Sequence, residues 1–432
     1  MDQPNSLPNS TSRVLIASLA GTTIEFFDFY IYGTAAVLVF PRLFFPSADP
    51  TTAVLESLAT FALAFFARPV GAALFGHFGD RIGRKATLIA ALMTMGSSTV
   101  AIGLLPTYQS IGVWAPALLA LFRFGQGVGL GGEWGGAVLL ATENAPEGKK
   151  AWYGMFPQFG APLGFLLSTG TFLVLGKILI DEQFYSYGWR IPFIASALLV
   201  WVGLYVRVKL IETPEFLKIV RNNERVKMPV IDVFVKHTKP LVLGTVASIT
   251  VFLFFYLMTV FTLSWGTSML HYSHAGFLGA QTVSMLTFAA GILVSAALAD
   301  KYGRGSILMV ATIGIFIFGL FFSRLFIPDN WPVMFVFLTI GMFLMGLTYG
   351  PLGTALAEIF PIPVRYTGAS LSFTLAGILG ASLTPYLATR LAKAYGLQYV
   401  GFYLSIAAVL TFAALWIAAS SMKDPVTTPG TV

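Results

Sequence analysis

The chain has 432 residues, of which 56% are hydrophobic and only 10% charged, with a mean hydropathy of +0.79. A soluble domain cannot bury that much apolar sequence, so the composition implies a membrane protein, and the absence of cysteine excludes disulfides, thiolate metal sites and cysteine nucleophiles. The formal charge of +7 would suit a nucleic-acid binder, but in a membrane chain its meaning depends on which loops carry it.

A helix crosses a bilayer with about 20 apolar residues. Hydropathy peaks at 14–40, 54–76, 86–105, 113–141, 151–179, 189–210, 240–268, 277–299, 305–327, 331–357, 366–392 and 398–420 predict twelve such helices. The runs are continuously apolar, unlike the alternating segments of about ten residues that build a membrane β-barrel. The N-terminal MDQPNSLPNSTSR is polar and lacks a short apolar core with a cleavage site, so no removable signal peptide is expected. Alternate loops, starting with the N-terminus, hold 18 of the 26 Lys and Arg; the opposite set holds six, and Arg68 and Arg123 belong to neither. By the positive-inside rule both termini are expected in the cytoplasm. The surplus of positive charge is thus a topology signal, and the longest polar segment, about Glu212 to Lys239, is too short for a basic nucleic-acid-binding domain.

In chain order, the first helix carries GTTIEFFDFYIYG (Gly21 to Gly33), with two acids, Glu25 and Asp28, in an apolar run. At the centre of a membrane helix each costs roughly 2.5–3.5 kcal/mol on insertion scales, so partners, water or a proton are required. Their spacing of three puts them on one face with Phe29 and Tyr32. The second helix carries Arg68 before Pro69 and runs into the loop GHFGDRIGRK (Gly76 to Lys85). The fourth holds Arg123, Gln126, Glu133 and Trp134, with Gly125, Gly129, Gly132 and Gly136 in a stripe that lets neighbouring backbones approach. Gln158 lies on the fifth helix, and a charged connector follows the sixth.

The loop pattern returns as ALADKYGRG (Ala297 to Gly305), aligning Asp80 with Asp300 and Gly83 with Gly303 at an offset of 220 residues. A weaker echo aligns Glu143 with Glu358 and Pro146 with Pro361 at an offset of 215. Two motifs recurring in order imply duplicated six-helix halves. The expected division is 1–211, a cytoplasmic linker at 212–239, and 240–432. The second half offers Tyr256, Trp265, Gln281 and Tyr349 as polar or aromatic groups able to line a cavity. It holds no charge at the depth of Glu25, Asp28, Arg68, Arg123 and Glu133. There is no GxxxxGK[ST] phosphate loop, no GxSxG elbow and no HExxH-type cluster, which argues against ATP-driven transport, a serine hydrolase and a metal site.

The loop GHFGDRIGRK resembles the signature between helices 2 and 3 of major facilitator superfamily transporters. EFFDFYIYG, FARPVGAALFGHFGDRIGRK, RFGQGVGLGGEWGGA and GWRIPF together resemble the metabolite:proton symporter subfamily, which includes transporters of shikimate, 2-oxoglutarate, citrate and proline/betaine, with the wording nearest the shikimate-type branch. The resemblance implies an all-α membrane protein of twelve helices in two six-helix bundles, the major facilitator fold. It further implies a central cavity, alternating access and proton coupling in a bacterial inner membrane, with no cofactor beyond the proton and a monomer able to work.

On this reading Arg123 is expected to hold a substrate carboxylate, because a guanidinium stays charged and offers a two-pronged fork. Gln126, Tyr32, Trp134, Gln158 and Tyr256 are expected beside the substrate. Asp28, Glu25 and Glu133 are the proton-coupling candidates, and Arg68 a buried charge partner, with Arg68 and Arg123 as the expected partners of the two acids of the first helix. The resemblance implies a cytoplasmic gate at Asp80, Arg84, Asp300 and Arg304. The expected function is proton-coupled import of a small organic acid. A zwitterion such as proline or betaine is the alternative substrate, and a receptor or enzyme on the same fold is a second alternative that the absence of a signalling domain or catalytic constellation disfavours.

Overall fold

A computed structural model describes residues 11–46, 50–209, 212–222 and 226–423. Most of the polar N-terminal segment, read above as no signal peptide, and parts of the 212–239 connector lie outside the described residues. In lipid every backbone N–H and C=O must be satisfied within the segment, which leaves helices as the solution for continuous apolar runs. The first half is built from α1 (Thr11–Leu38), α2 (Pro50–Arg81), α3 (Arg84–Leu104), α4 (Trp114–Glu143), α5 (Lys150–Ile178) and α6 (Arg190–Val208). Two short connector helices follow, α7 (Pro214–Arg221) and α8 (Pro229–Lys236), each with proline at its first position, where no backbone donor is missed. The second half comprises α9 (Thr238–Ser268), α10 (His274–Tyr302), α11 (Arg304–Leu325), α12 (Trp331–Ile359), α13 (Ile362–Tyr395) and α14 (Leu397–Lys423).

Among the described residues, 11 helices are long and apolar enough to cross a membrane. The twelfth long helix, α4, falls short because Arg123, Gln126 and Glu133 sit in its middle, yet all three are fully buried. It is the inner helix of the first bundle. Gly131 lies against the carbonyl of Arg68 on α2, and Gly129 against Ala91 and Met95 on α3, so side chains at these points would force the helices apart. α1 pairs with α5, α2 and α3 with α4, α10 with α12, and α11 with α14. The halves meet chiefly where α2 faces α13 and α5 faces α10.

The repeat is a structural one. The α2–α3 turn and the α10–α11 turn each pivot on a glycine at positive φ, Gly83 at 134° and Gly303 at 90°, a conformation that disfavours other residues. Both turns lie at the end of the molecule where α1 begins and α14 finishes, called here the basic end because it carries the larger share of Lys and Arg. Two spans of the second half are interrupted by single π turns, Leu257–Phe261 in α9 and Ile378–Ser382 in α13.

Candidate functional site

Six charged groups buried in the first half, Glu25, Asp28, Arg68, Arg123, Glu133 and Arg207, fall into three sets. The first is a hydrogen-bonded chain across four helices. Ser196 Oγ of α6 donates to Asp28 Oδ1 at 2.6 Å, and Thr99 Oγ1 of α3 donates to Asp28 Oδ2 at 2.9 Å. Gln126 Nε2 of α4 donates to Thr99 Oγ1 at 2.8 Å and to the Asp28 carbonyl at 3.2 Å. Arg123 Nη1, one turn along α4, donates to Gln126 Oε1, while Nη2 reaches the Phe61 carbonyl at 3.5 Å. Asp28 therefore has hydroxyl partners in place of the expected arginine. The α1 acids also part company from their neighbours: Asp28 turns to α3 and α6, while Phe29 and Tyr32 turn under the arginines.

Arg123 is fully buried, with its guanidinium carbon 4.0 Å from the centre of the Tyr32 ring, 4.9 Å from Phe61 and 5.0 Å from Phe29. Ring faces attract a desolvated cation. The Tyr32 hydroxyl is engaged with Thr60 Oγ1 at 2.7 Å, so this tyrosine presents a ring face and no free hydroxyl to Arg123.

The second set is Arg68 and Glu25. Arg68 lies over Phe29 at 4.7 Å and Phe65 at 5.2 Å. It makes no hydrogen bond or ion pair among the described residues, and its Nε is buried without a partner. Glu25 is equally buried and Oε2 also lacks a partner. The charged groups acting on Glu25 are Glu133, Arg68 and Arg207. The expected contact between Arg68 and an acid of α1 is absent: among the described residues no carboxylate oxygen comes within 4.0 Å of an Arg68 nitrogen.

The third set is a closed ion pair. Arg207 grips Glu133 through both terminal nitrogens, and Nη1 also donates to the Leu88 carbonyl at 3.0 Å. Arg207, one of the 18 cations assigned above to the loops, is instead buried on α6, 1% exposed. The signal was in the spacing, since Ser196, Val200, Gly203 and Arg207 fall on one helix face and all four are buried.

Trp134 and Gln158, expected beside a substrate, join the halves. Trp134 Nε1 donates to Gln158 Oε1 at 2.8 Å, Gln158 Nε2 donates to the Tyr349 carbonyl at 2.7 Å, and the Trp134 ring stacks on Phe373 of α13 at 3.6 Å. Tyr256 packs edge-on against Phe65 at 5.7 Å across the same divide. The Gln281 amide is bound to the carbonyls of Met258 and Thr259 at the π turn of α9, and Trp265 stacks on Phe261.

At the basic end the repeated motifs cross over. Asp80 accepts from Tyr366 N at 3.3 Å and from Thr367 N and Oγ1 at 3.0 and 2.8 Å, at the start of the main helical stretch of α13. Asp300 accepts from Ala151 N at 2.8 Å and Trp152 N at 2.9 Å, at the start of α5. Arg84 pairs with Asp80 at 3.1 Å and Glu143 at 3.5 Å; Arg304 approaches Asp300 at 3.9 Å and pairs with Glu358 at 3.2 Å. Each acid thus caps a helix of the opposite half, where the helix dipole favours negative charge. The connector joins this assembly through Glu212, which accepts from Arg84 N and Lys85 N, and Glu215, which pairs with Arg365 at 2.5 Å.

The chain is similar to known proteins along nearly its whole length. A family model described as sugar (and other) transporter matches residues 13–241, and that of the major facilitator superfamily matches 280–431. An inner membrane metabolite transport protein of Escherichia coli K12 is 55% identical, the match covering 94% of each chain. The shikimate transporter of the same organism is 35% identical over 95% of this chain and 94% of the relative. A proline/betaine transporter of Salmonella typhimurium LT2 is 31% identical over 96% of this chain and 84% of the relative. Among solved structures, a proton:xylose symporter bound to 6-bromo-6-deoxy-D-glucose superimposes with a TM-score of 0.76 at 16% identity, covering 94% of this chain and 95% of that one.

Proposed function

The chain belongs to the major facilitator superfamily as a multi-pass inner-membrane transporter of metabolites, and from that premise we propose that it imports a small carboxylate-bearing solute together with a proton. The observation that carries this reading is the unbroken chain from Arg123 through Gln126 and Thr99 to Asp28. A hydroxyl donates one hydrogen, and that of Thr99 has two acceptors in reach, Asp28 Oδ2 and the Met95 carbonyl at 3.0 Å. With Asp28 ionised, Thr99 donates to it. With Asp28 protonated, the acid donates to Thr99, whose hydrogen turns to Met95. The proton on Asp28 is thereby felt at Gln126 and at Arg123, which shares the Phe29 ring with Arg68. Glu133 is held by Arg207 and stands outside this relay.

Alternating access follows from the two halves, assigned as 1–211 and 240–432 with 212–239 between them. The basic end faces the cytoplasm, in keeping with its excess of Lys and Arg. The crossed caps at Asp80 and Asp300, with Arg84 and Arg304, form the latch that closes this end. A zwitterion is the second reading, favoured by the presence of Glu25 opposite Arg68 and by the proline/betaine relative.

The test is uptake into proteoliposomes with an imposed inward proton gradient, screening shikimate, dicarboxylates, short monocarboxylates, proline and betaine. Accumulation that is lost when the gradient is collapsed supports symport. Accumulation unchanged by collapse excludes it.

A further inference from the structure

We propose that Arg68 and Glu25 form a two-point recognition site for a small solute that carries a carboxylate at one end and a hydrogen-bond donor, a hydroxyl or an ammonium, at the other. The proposal rests on the reading of the chain as a transporter of carboxylate-bearing solutes, and it adds which part of the solute each of the two groups recognises.

The argument starts from satisfaction. A guanidinium offers five N–H donors and a carboxylate accepts about four hydrogen bonds. Buried polar groups in native proteins almost always find partners. Elsewhere in the middle of this bundle the rule holds for each buried charged group, if not for every atom: Arg207 pairs with Glu133 although its Nε is unbonded, Arg123 reaches Gln126, and both oxygens of Asp28 accept from hydroxyls. Arg68 and Glu25 break it together. Arg68 is 6% and Glu25 3% exposed, and neither makes a hydrogen bond or ion pair among the described residues. The exception lies within a single region, since Arg68 sits over Phe29, one turn along α1 from Glu25, yet the two stay more than 4.0 Å apart.

The surroundings fix what can bridge that gap. The Arg68 guanidinium lies over the Phe29 and Phe65 rings, which offer it no hydrogen-bond acceptor and so leave its N–H groups for a planar anion. Tyr30 lies at a tilt to Phe255 with ring centres 6.4 Å apart and Tyr256 packs on Phe65, so the second half closes over the same region. The hydroxyls of Tyr30 and Tyr256 make no hydrogen bond among the described residues. One end of the space therefore supplies donors around a fixed positive charge. The other, Glu25, supplies only acceptors while ionised. A plain monocarboxylate leaves Glu25 unanswered, and a quaternary ammonium brings charge without a hydrogen to donate.

The test uses matched pairs on the purified full-length transporter, read by equilibrium binding. Shikimate is compared with 1-cyclohexenecarboxylate, which lacks its hydroxyls, and L-proline with N,N-dimethyl-L-proline, which lacks its N–H. The expected result is that the donor-bearing member of at least one pair binds tenfold or more tighter, and that its methyl ester does not bind. Glu25→Gln should collapse that ratio to within about threefold, and Arg68→Lys should weaken the winning ligand at least tenfold. The ester comparison needs no variant and stands even if a variant fails to fold. Binding of no member of either pair, equal binding within both pairs, or a ratio that survives Glu25→Gln in a folded variant overturns the two-point site. Discriminating binding without proton-dependent accumulation would instead leave the site intact and sink the symport reading.

Discussion

Arg68 and Arg123, on different helices, place their guanidinium carbons 4.7 and 5.0 Å from the centre of the same Phe29 ring. Like charges repel, and neither arginine has a carboxylate partner among the described residues, so the ring is the common element that holds both. A desolvated cation–π contact is worth about 2 kcal/mol. Phe29→Leu preserves apolar volume and removes the ring's quadrupole. Substrate KM is expected to rise about tenfold in Phe29→Leu and to stay near wild type in Phe29→Tyr. Equal KM in the two variants would show that Phe29 is only a spacer.

The relay to Asp28 makes a sharper prediction. Asp28→Asn cannot exchange a proton but keeps an oxygen that accepts from one of the Ser196 and Thr99 hydroxyls and an amide that donates to the other, so counterflow should persist within about threefold while gradient-driven accumulation disappears. Thr99→Val keeps the shape and removes the link between Gln126 and Asp28. A hydrogen bond to a charged group contributes about 1.5–3 kcal/mol, so the accumulation ratio should fall about tenfold or more. Undiminished accumulation in Thr99→Val would disconnect Arg123 from Asp28.

Much of this arrangement was legible in the sequence because it depends on local quantities. Apolar run length marked the helices, including α4 despite its charges, and the offset of 220 residues paired Asp80 with Asp300 before their reciprocal caps were known. Partner identities were not legible, because they depend on the rotation and depth of antiparallel helices. Spacing placed Asp28 with Phe29 and Tyr32, whereas packing sends its carboxylate to Thr99 and Ser196, two ordinary hydroxyls on α3 and α6. Arg207 was hidden by its position at the end of a span, where a snorkelling side chain is the usual expectation. Gln281 looked like a cavity residue because a π turn that exposes its carbonyls leaves no mark in hydropathy.

The Glu133–Arg207 pair predicts a stability effect separable from coupling. Glu133→Gln leaves Arg207 buried without its counter-charge, a loss of roughly 3–5 kcal/mol. The single variant should melt well below wild type in detergent. Replacing both, Glu133→Leu with Arg207→Met, removes the stranded charge and should recover most of the melting temperature together with gradient-driven uptake. A stable double variant that binds solute and no longer accumulates it would return Glu133 to the proton pathway.

The crossed caps predict an unequal latch. Asp80 is fully buried, bonded three ways to α13 and paired with Arg84, whereas the side chain of Asp300 is 13% exposed and its contact with Arg304 is long at 3.9 Å. A helix cap contributes about 0.5–2 kcal/mol, and burial puts Asp80 at the upper end. The native chain has no cysteine, so a single reporter can be read without background. Ser370 is a suitable site, being 1% exposed and seated against Gly135 between the halves near the basic end. In a Ser370→Cys background, labelling by N-ethylmaleimide should accelerate about tenfold with Asp80→Asn and about threefold with Asp300→Asn. The two caps hold different helices in one closure, so the double variant should be at least as fast as the product of the two effects. Labelling rates indistinguishable across the four proteins would mean that the caps serve the helices they terminate and do not hold the basic end shut.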